Sequence, residues 1–324
     1  MNSRIVGIGS YVPSRRLTNA DLEKMVETSD EWIVSRTGIE ERRICFDGEA
    51  NSDMSMNAGR KALEMAGLKP DDIDLVLVGT VTPDFRLPSM ACIIQKKMGL
   101  VNAAAMDIVA ACAGFLHGLS IADAYIKTGH FKRVLVLGAE KLSSITDYTD
   151  RNTCVLFGDG AGAAVVVPTD EKRGVLSTYL KSDGRQDQLL WIPNGGSSNP
   201  YGKTNCNGSY NIKMNGSEVF KHAVRQMAEA SFYVIRKAGL TGDDINLMVP
   251  HQANMRIITS TAKRLGIPMD RVFLNIAKYG NTSAASVPIA LDEAVRSGRI
   301  KDGDYILMAA FGGGLTWASA VMRW

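Results

Sequence analysis

Apolar and polar residues follow one another along this chain in blocks that suit strands and helices in turn. Runs that are apolar throughout, such as 75–81, indicate strands covered on both faces. Between them, apolar residues recur at helical spacing, as in 53–66, which stops at Gly67. Asn19 is the predicted N-cap of an earlier helix. We therefore predict an α/β layered fold, with strands at 4–12, 75–81, 134–137, 161–167 and 247–249 and helices at 53–66, 90–98 and after residue 254.

The second half of the sequence repeats the first. The segment 67–75 recurs at 239–247, and three shorter matches follow in the same order: 98–100 with 265–267, 129–132 with 298–301, and 157–160 with 311–314. Chance similarity between two α/β segments is the weaker explanation, because the matches are collinear. We predict a duplicated α/β unit, with halves at 1–170 and 171–324. The loops around Cys112 and Asn281 should then face one another across a pseudo-two-fold axis.

A stretch of small residues at 107–118 surrounds a cysteine. It begins as an apolar run and continues at helical spacing, so Cys112 is expected at or just before the first turn of a helix. The positive end of a helix dipole lowers a cysteine pKa and favours the nucleophilic thiolate. The alternative is a buried cysteine that packs as a small, inert hydrophobe.

Three further segments carry polar or flexible residues at the ends of predicted strands or helices. His251 follows the buried strand 247–249, at the strand end where α/β folds place their sites, yet a structural histidine is also common there. Asn281 precedes a helix and is compatible with a simple N-cap or turn residue. The glycines at 312–314 allow close approach of a ligand, or serve a tight turn or bulge.

Composition excludes several classes of function. The chain has 324 residues, 45% of them hydrophobic, and a net charge of +3, which is too small to indicate nucleic-acid binding. No apolar run has the length of about 18 residues that a membrane span requires. The first ten residues resemble a strand rather than a signal peptide. Five cysteines without a C-x-x-C pair fit a reducing cytoplasm, and neither they nor the four histidines show metal-ligand spacing.

The motifs in combination resemble a known enzyme family. Cys112 in AACAGF, His251 in VPHQAN, Asn281 in GNTSAAS, and the segment FGGGLTW together are similar to β-ketoacyl-acyl carrier protein synthase III, in order and over essentially the whole chain. The resemblance implies a thiolase-like fold of five layers (α-β-α-β-α) and a cytoplasmic homodimer. It implies a multifunctional acyltransferase that condenses an acyl-CoA primer, expected to be acetyl-CoA, with malonyl-acyl carrier protein and so initiates bacterial fatty acid synthesis. No cofactor is expected, since acyl-CoA is a substrate.

The resemblance also implies a role for each residue of the site. Cys112 is the nucleophile, and the backbone N–H groups of Cys112 and Gly313 form the oxyanion hole. His251 and Asn281 donate hydrogen bonds to the malonyl thioester. The other implied residues fall into three groups: coenzyme A contacts at Thr28, Trp32, Arg36, Arg151, Phe220 and Asn254; an acyl pocket at Leu87 and Phe311; and carrier-protein contacts at Gln252, Ala253, Asn254, Met255, Arg256, Lys221 and Lys263.

Two positions depart from the family pattern. Asn152 stands where the family usually has glycine, which affects placement of the backbone against the adenine. Leu87 stands where many relatives carry phenylalanine that reaches across the dimer, so the primer could be larger than acetyl.

Neighbouring families and other classes are less compatible with the sequence. A thiolase needs a second cysteine near the carboxyl terminus, and 311–324 contains none. Elongating condensing enzymes use a second histidine where this chain has Asn281, and no catalytic glutamate of a hydroxymethylglutaryl-CoA synthase can be placed. A related condensing enzyme with a larger or branched primer in a specialised acyl or polyketide pathway, a cysteine hydrolase and a non-condensing acyltransferase remain alternatives. A silent scaffold would be expected to lack one of the three catalytic residues.

Overall fold

Two β-sheets form the frame of the protein. The computed structural model describes residues 2–201 and 210–324. Its strands are β1 (Asn2–Tyr11), β2 (Arg16–Thr18), β3 (Glu41–Arg43), β4 (Leu75–Gly79), β5 (Ala104–Ile108), β6 (Val134–Glu140), β7 (Gly160–Thr169), β8 (Gly174–Ser182), β9 (Leu190–Trp191), β10 (Lys213–Met214), β11 (Leu247–Pro250), β12 (Tyr305–Gly312) and β13 (Thr316–Arg323). Its helices are α1 (Asn19–Leu22), α2 (Asp30–Thr37), α3 (Asn51–Ala66), α4 (Met90–Met98), α5 (Gly114–Lys127), α6 (Arg151–Cys154), α7 (Gly216–Lys237), α8 (Met255–Leu265), α9 (Ile276–Tyr279) and α10 (Ser286–Arg296).

The two sheets have the same topology. The first has the strand order β1-β7-β6-β4-β5, in which β4 runs parallel to both β5 and β6. The second has the order β8-β13-β12-β11, with β11 parallel to β12, and a parallel bridge from Met248 to Val272 stands where β5 stands in the first. The predicted duplication of one α/β unit is therefore confirmed. The first sheet comes from 2–169 and the second from 174–323; the division at 170 and 171 stays a prediction.

Alternate residues of the strands pack against different helical layers. In β4, Val76 and Val78 pack outward with α3 and α4, whereas Leu75 and Leu77 pack inward. In β11, Met248 packs outward with α7 and α8. Helices α5 and α10 lie between the sheets and contribute to the inward cluster with both of them. The order helix, sheet, helix, sheet, helix confirms the five predicted layers.

The central helices lie unusually close to the strands because small residues line the contact. A Cβ atom on Gly79 would lie 2.5 Å from the carbonyl carbon of Gly114, the first residue of α5. Any side chain at Gly79 would therefore push away the helix that follows Cys112. The position of the predicted nucleophile depends on this contact.

The element boundaries correct two of the predictions. Thr18, and not Asn19, is the N-cap of α1: its hydroxyl accepts a hydrogen bond from the Asp21 amide. The strand predicted at 75–81 ends at Gly79, because the amide of Val81 turns toward the carboxylate of Glu140. The helix at 90–98 is confirmed at the predicted residues.

The segment between the two halves, predicted as a surface excursion over 183–211, contains some regular structure. A 3₁₀ helix spans Gly184–Leu189, and β9 pairs antiparallel with β10. The part of the excursion at 202–209 lies outside the described residues. Across the described ranges, no helix combines the length and the apolar character needed to cross a membrane.

Candidate active site

The three predicted catalytic residues line one cavity. Its volume is about 1010 Å³, and Cys112, His251 and Asn281 all contribute to its wall. Cys112 and Asn281 come from corresponding loops of the two halves, as the duplication predicted. The tertiary structure thus brings together side chains that are up to 169 positions apart (281 − 112).

Cys112 lies in a 3₁₀ turn, Ala111–Ala113, that leads directly into α5. The matching turn in the second half, Ser283–Ala285, leads into α10. Both turns begin with a left-handed residue that is not glycine, Ala111 with φ 45° and Ser283 with φ 48°. Such strain persists only where the surrounding structure enforces it, often at functional sites. The predicted place of Cys112, at the start of a helix, is confirmed.

The prediction that this position lowers the pKa of Cys112 was wrong. The side chain is buried, and burial raises the pKa of the thiol to about 12, although a hydrogen bond with the Ser283 side chain acts in the opposite direction. Desolvation disfavours a thiolate more strongly than the hydrogen bond stabilises it.

His251 follows β11 and is held in one orientation. Its backbone N–H donates to the Ala309 carbonyl at 2.8 Å, and its Nδ1 atom lies 2.5 Å from the Oγ atom of Ser286. The Gln252 amide donates to the same Oγ atom at 3.3 Å. Among the described residues, the Ser286 hydroxyl has no other acceptor for its hydrogen, so it donates to Nδ1. The remaining proton of a neutral imidazole is then on Nε2.

Burial keeps His251 neutral. The side chain is 4% exposed, and burial lowers its pKa to about 4. At neutral pH the ring is therefore uncharged, with Nε2–H as a hydrogen-bond donor. The predicted role of His251, donation of a hydrogen bond to the malonyl thioester, requires this neutral state.

Asn281 acts as a turn residue and leaves its amide nitrogen available. Its Oδ1 atom accepts a hydrogen bond from the Ser283 amide at 2.9 Å, while its backbone N–H donates to the Leu156 carbonyl at 2.9 Å. In the described part of the chain, no acceptor bonds Nδ2. Since Asn281 lines the cavity, Nδ2–H can donate to a bound substrate.

The glycines at the end of β12 allow the chain to pass close to Cys112. A Cβ atom on Gly312 would lie 2.6 Å from the backbone nitrogen of Cys112. Gly313, the predicted second oxyanion donor, is not part of the cavity wall, and its role stays a prediction.

Four predicted coenzyme A contacts line the outer cavity: Trp32, Arg36, Phe220 and Asn254. Thr28 and Arg151 do not line it, but the Arg151 guanidinium carbon lies 4.6 Å from the centre of the Trp32 ring. This contact leaves no room for an adenine between them, so Arg151 must move before the pair can enclose a base. Asn254 also has a structural task, because Oδ1 caps α8 and Nδ2 donates to the Arg36 carbonyl at 3.0 Å.

The acyl-pocket residues lie in different environments. Phe311 lines the cavity and stacks on Trp317, with the ring centres 6.3 Å apart. Leu87 is 87% exposed and lies outside the cavity of the single chain. A role for Leu87 in an acyl pocket would require a second subunit.

The predicted carrier-protein surface is only partly exposed. Arg256 and Lys263 are exposed, and Lys221, Ala253 and Arg256 are at the cavity wall. Gln252 is 1% exposed and donates to the Pro250 and Phe273 carbonyls, so the prediction that it contacts a carrier protein was wrong. Met255 is partly buried against the cluster of α1 and α2.

Ion pairs reduce the positive charge of this surface. The Lys221 ammonium lies 2.7 Å from a Glu218 carboxylate oxygen, and Arg225, one turn further along α7, pairs with Glu229 at 2.9 Å. Within the described ranges, Arg256 and Lys263 form no ion pair. The Arg256 guanidinium instead lies over the Phe220 ring, 5.5 Å from its centre.

Three polar residues of the site escaped sequence reasoning. Ser286 orients His251, and Ser283 and Glu140 lie beside Cys112. The sequence could have indicated Glu140, because a glutamate at the end of the apolar strand β6 is expected to be buried and therefore to need hydrogen-bond partners. Nothing in the sequence distinguished Ser283 and Ser286 from the other small residues around them.

Known families match the segments that carry these residues. The model described as 3-oxoacyl-[acyl-carrier-protein (ACP)] synthase III matches 106–184, and its C-terminal counterpart matches 235–324. A protein of Caldanaerobacter subterraneus subsp. tengcongensis named beta-ketoacyl-[acyl-carrier-protein] synthase III is 54% identical over 321 residues, 99% of this chain and 97% of the relative. The chain belongs to the β-ketoacyl-acyl carrier protein synthase III family.

Solved structures of this synthase III family confirm the thiolase fold. The enzyme of Aquifex aeolicus has a TM-score of 0.93 and 49% identity, covering 99% of this chain and 100% of that one. A priming β-ketosynthase from a polyketide biosynthetic pathway has a TM-score of 0.94 and 40% identity, covering 99% of this chain and 96% of that one. As a member of the synthase III family, the protein is a condensing enzyme of the acyltransferase type, as predicted.

Proposed function

We propose that the protein condenses an acyl-CoA primer with malonyl-acyl carrier protein, releasing coenzyme A and carbon dioxide and forming a 3-oxoacyl-acyl carrier protein. This is the first condensation of bacterial fatty acid synthesis. The observation that carries the proposal is one cavity containing a cysteine and two neutral donors, His251 and Asn281. Among the residues that the structure describes, no carboxylate bonds the imidazole.

The first half-reaction loads the primer. The Cys112 thiolate attacks the thioester carbonyl, the bond from carbon to the coenzyme A sulfur breaks, and the acyl group remains as a thioester on Cys112. The tetrahedral intermediate carries an oxyanion, for which the backbone N–H groups of Cys112 and Gly313 are the proposed donors.

The second half-reaction forms the new carbon–carbon bond. His251 Nε2–H and Asn281 Nδ2–H donate to the thioester carbonyl oxygen of the malonyl group. Loss of carbon dioxide leaves an enolate whose charge develops on that oxygen, so donors placed there stabilise the transition state. The carbanion then attacks the acyl carbon on Cys112, whose sulfur leaves as thiolate. A neutral His251 suits this task, because an imidazolium would protonate the carbanion.

The substrate arms enter through the outer cavity. Coenzyme A would lie along Trp32, Arg36, Phe220 and Asn254, with the adenine placed between Trp32 and a displaced Arg151. The acyl carrier protein would dock on the surface formed by Arg256 and Lys263, since acyl carrier proteins are acidic and their arm must reach Cys112.

The protein would act as a cytoplasmic homodimer. Strand β5 is the edge of the first sheet, and no described strand pairs with its outer side. Apolar side chains nearby are exposed: Phe85 by 63%, Leu87 by 87% and Val109 by 79%. An unpaired edge flanked by apolar side chains favours association with a second sheet. In such a dimer Leu87 could reach the acyl pocket of the other subunit.

A larger primer in a specialised pathway is the second candidate. The 40% identical priming β-ketosynthase of a polyketide pathway supports it, together with leucine at position 87. The activity as a condensing enzyme is the same in both cases.

The test combines mass spectrometry with product analysis. Acyl-CoAs from acetyl to branched and medium-chain should each add at most one acyl group, on Cys112, and none in Cys112→Ala. Addition of malonyl-acyl carrier protein should then release carbon dioxide and form 3-oxoacyl-acyl carrier protein. Release of free acid would instead identify a hydrolase, and transfer of the intact acyl group would identify a non-condensing acyltransferase. The acyl-CoA that loads fastest would identify the primer class.

A further inference from the structure

Arg42 is a charged residue that the reaction scheme leaves without a task. It lies in the middle of β3, is 0% exposed, and is the largest fully buried side chain in the described part of the protein. Burial lowers the pKa of Arg42 to about 10, so the guanidinium remains charged at neutral pH. Across residues 2–201 and 210–324, no carboxylate oxygen lies within 4.0 Å of its nitrogens. A buried cation without an ion pair depends on hydrogen bonds to other groups.

One side of the guanidinium holds the part of the cavity wall that follows α6. The Nε atom of Arg42 donates to the Val155 carbonyl at 3.1 Å, and Nη2 donates to the same oxygen. Val155 lines the cavity together with Asn152 and Leu156. Two charge-assisted donors on one planar group fix the position of this carbonyl more strictly than a single donor would.

The other side of the guanidinium holds α2, a second part of the cavity wall. Nη1 donates to the Oδ1 atom of Asn19 at 2.6 Å. The Nδ2 atom of Asn19 in turn donates to an Asp30 carboxylate oxygen at 2.8 Å and to the Ile39 carbonyl at 2.9 Å. Asp30 is the first residue of α2, and Ile39 lies two residues beyond its end. One side-chain amide, held by Arg42, therefore contacts both ends of the helix that carries Trp32.

The stem of Arg42 occupies space that two glycines leave open. A Cβ atom on Gly280 would lie 3.0 Å from Cγ of Arg42, and a Cβ atom on Gly158 would lie 3.3 Å from its Cβ. The side chain is thus confined along its stem as well as at its head. A lysine would fit the stem but ends in a single ammonium, which cannot donate to Val155 and Asn19 with the geometry of a planar fork.

We propose that Arg42 is a positioning residue for the coenzyme A arm of the primer, because it joins α2 to the segment after α6. The proposal rests on the proposed function, which places the coenzyme along Trp32 and Arg36. A binding site whose walls are fixed in advance loses less conformational freedom when the ligand enters. Since Arg42 is fully buried, it acts on the coenzyme through these walls. Its loss should weaken binding of the nucleotide and leave the chemistry at Cys112 unchanged.

Two primers with the same thioester test this role. Acetyl-CoA carries the nucleotide, whereas acetyl-N-acetylcysteamine does not, and loading of Cys112 by each is measured from the mass of the intact protein. In Arg42→Lys, the acetyl-CoA concentration that gives half-maximal loading should rise roughly 10-fold, the scale of one lost charge-assisted hydrogen bond. The loading rate at saturating acetyl-CoA should change little. The rate with acetyl-N-acetylcysteamine should equal that of the wild type.

Two further variants complete the series. Asn19→Ala breaks the connection to α2 but keeps the bonds from Arg42 to Val155, and it should give the same difference between the two primers. Ser3→Ala is the matched control, because it also removes a buried hydrogen bond, from Ser3 Oγ to Asp123 at 2.7 Å, but away from the cavity wall. Its loading by both primers should be that of the wild type.

The outcomes distinguish this proposal from the proposed function. Equal losses with both primers in folded Arg42→Lys would overturn the positioning role, and so would an unchanged half-maximal concentration of acetyl-CoA. If thermal unfolding shows that Arg42→Lys is not folded, Asn19→Ala decides. Calorimetric titration with coenzyme A itself needs no acyl transfer: binding that is roughly 10-fold weaker in Arg42→Lys, in a protein that accepts no acyl group, would contradict the proposed function and leave the positioning role standing. A wild type that does not bind coenzyme A would overturn both.

Discussion

His251 Nδ1 and Ser286 Oγ lie 2.5 Å apart, and this contact determines which nitrogen of the ring carries the proton. Ser286 is the first residue of α10 and corresponds to Gly114 at the start of α5. In one half of the duplicated unit this position allows close approach to the sheet. In the other half it orients the side chain of His251.

Removal of the Ser286 hydroxyl should impair decarboxylation and spare loading. In Ser286→Ala, Nδ1 can carry the proton in a share of the molecules, and those molecules lose the Nε2–H donor. We expect the rate of carbon dioxide release from malonyl-acyl carrier protein to fall by roughly 10-fold, the loss of about 1.4 kcal/mol in the transition state. Nitrogen NMR of histidine-labelled protein should show an unprotonated Nδ1 for His251 in the wild type and mixed tautomers in the variant. A pure Nε2–H tautomer in Ser286→Ala would contradict this role.

Loss of either donor, His251 or Asn281, should impair decarboxylation but not the loading of Cys112. In His251→Ala and Asn281→Ala, carbon dioxide release should fall roughly 100- to 1000-fold, because each variant loses one hydrogen bond to the developing enolate. Acylation of Cys112 by acetyl-CoA should remain, measured as the mass of the intact protein. Cys112→Ala serves as the control that accepts no acyl group. Equal loss of loading in both variants would show that the donors are not confined to the second half-reaction.

Acid should destabilise the protein through His251. Burial lowers the pKa of His251 to about 4 in the folded protein, below its ordinary value of 6.5. The unfolded chain therefore binds more protons between these values, and the free energy of unfolding should decrease as pH falls from 6.5 toward 4. Urea unfolding at several pH values should show a smaller decrease for His251→Gln. Part of the slope should persist, because burial also lowers the pKa of His117. An identical slope in the variant would contradict the burial of a neutral His251.

Replacement of Arg256 should weaken the reaction with malonyl-acyl carrier protein more than the loading of the primer. It is exposed, lies at the cavity wall and, among the described residues, has no carboxylate partner. Arg256→Ala should raise the Michaelis constant for malonyl-acyl carrier protein, and added salt should weaken wild-type turnover. Loading by acetyl-CoA should change little. Arg225→Ala is the control, since Glu229 already neutralises that charge, and a loss as large as that of Arg256→Ala would argue against the surface.

Sequence patterns predicted the layered fold, and the family motifs implied the three candidate catalytic positions. Strands buried on both faces must be apolar throughout, so the apolar runs predicted the layers. A duplicated unit leaves collinear matches, so the similarity of 67–75 to 239–247 predicted the repeat from the sequence alone. The positions of Cys112, His251 and Asn281 at the ends of such elements left a structural role open for each of them. Their motifs also carried the resemblance to the family.

Only the tertiary structure decided the electrostatics of the site. The sequence predicted a lowered pKa for Cys112 from its place at a helix, but burial by both halves raises it. Ser283 is 143 positions from Glu140, so no local pattern reports their hydrogen bond. The family resemblance implied that Gln252 contacts a carrier protein, yet its side chain donates a hydrogen bond to the Phe273 carbonyl inside the fold. Local spacing specifies which face of an element a residue occupies, whereas desolvation and hydrogen-bond partners depend on which other element packs against that face.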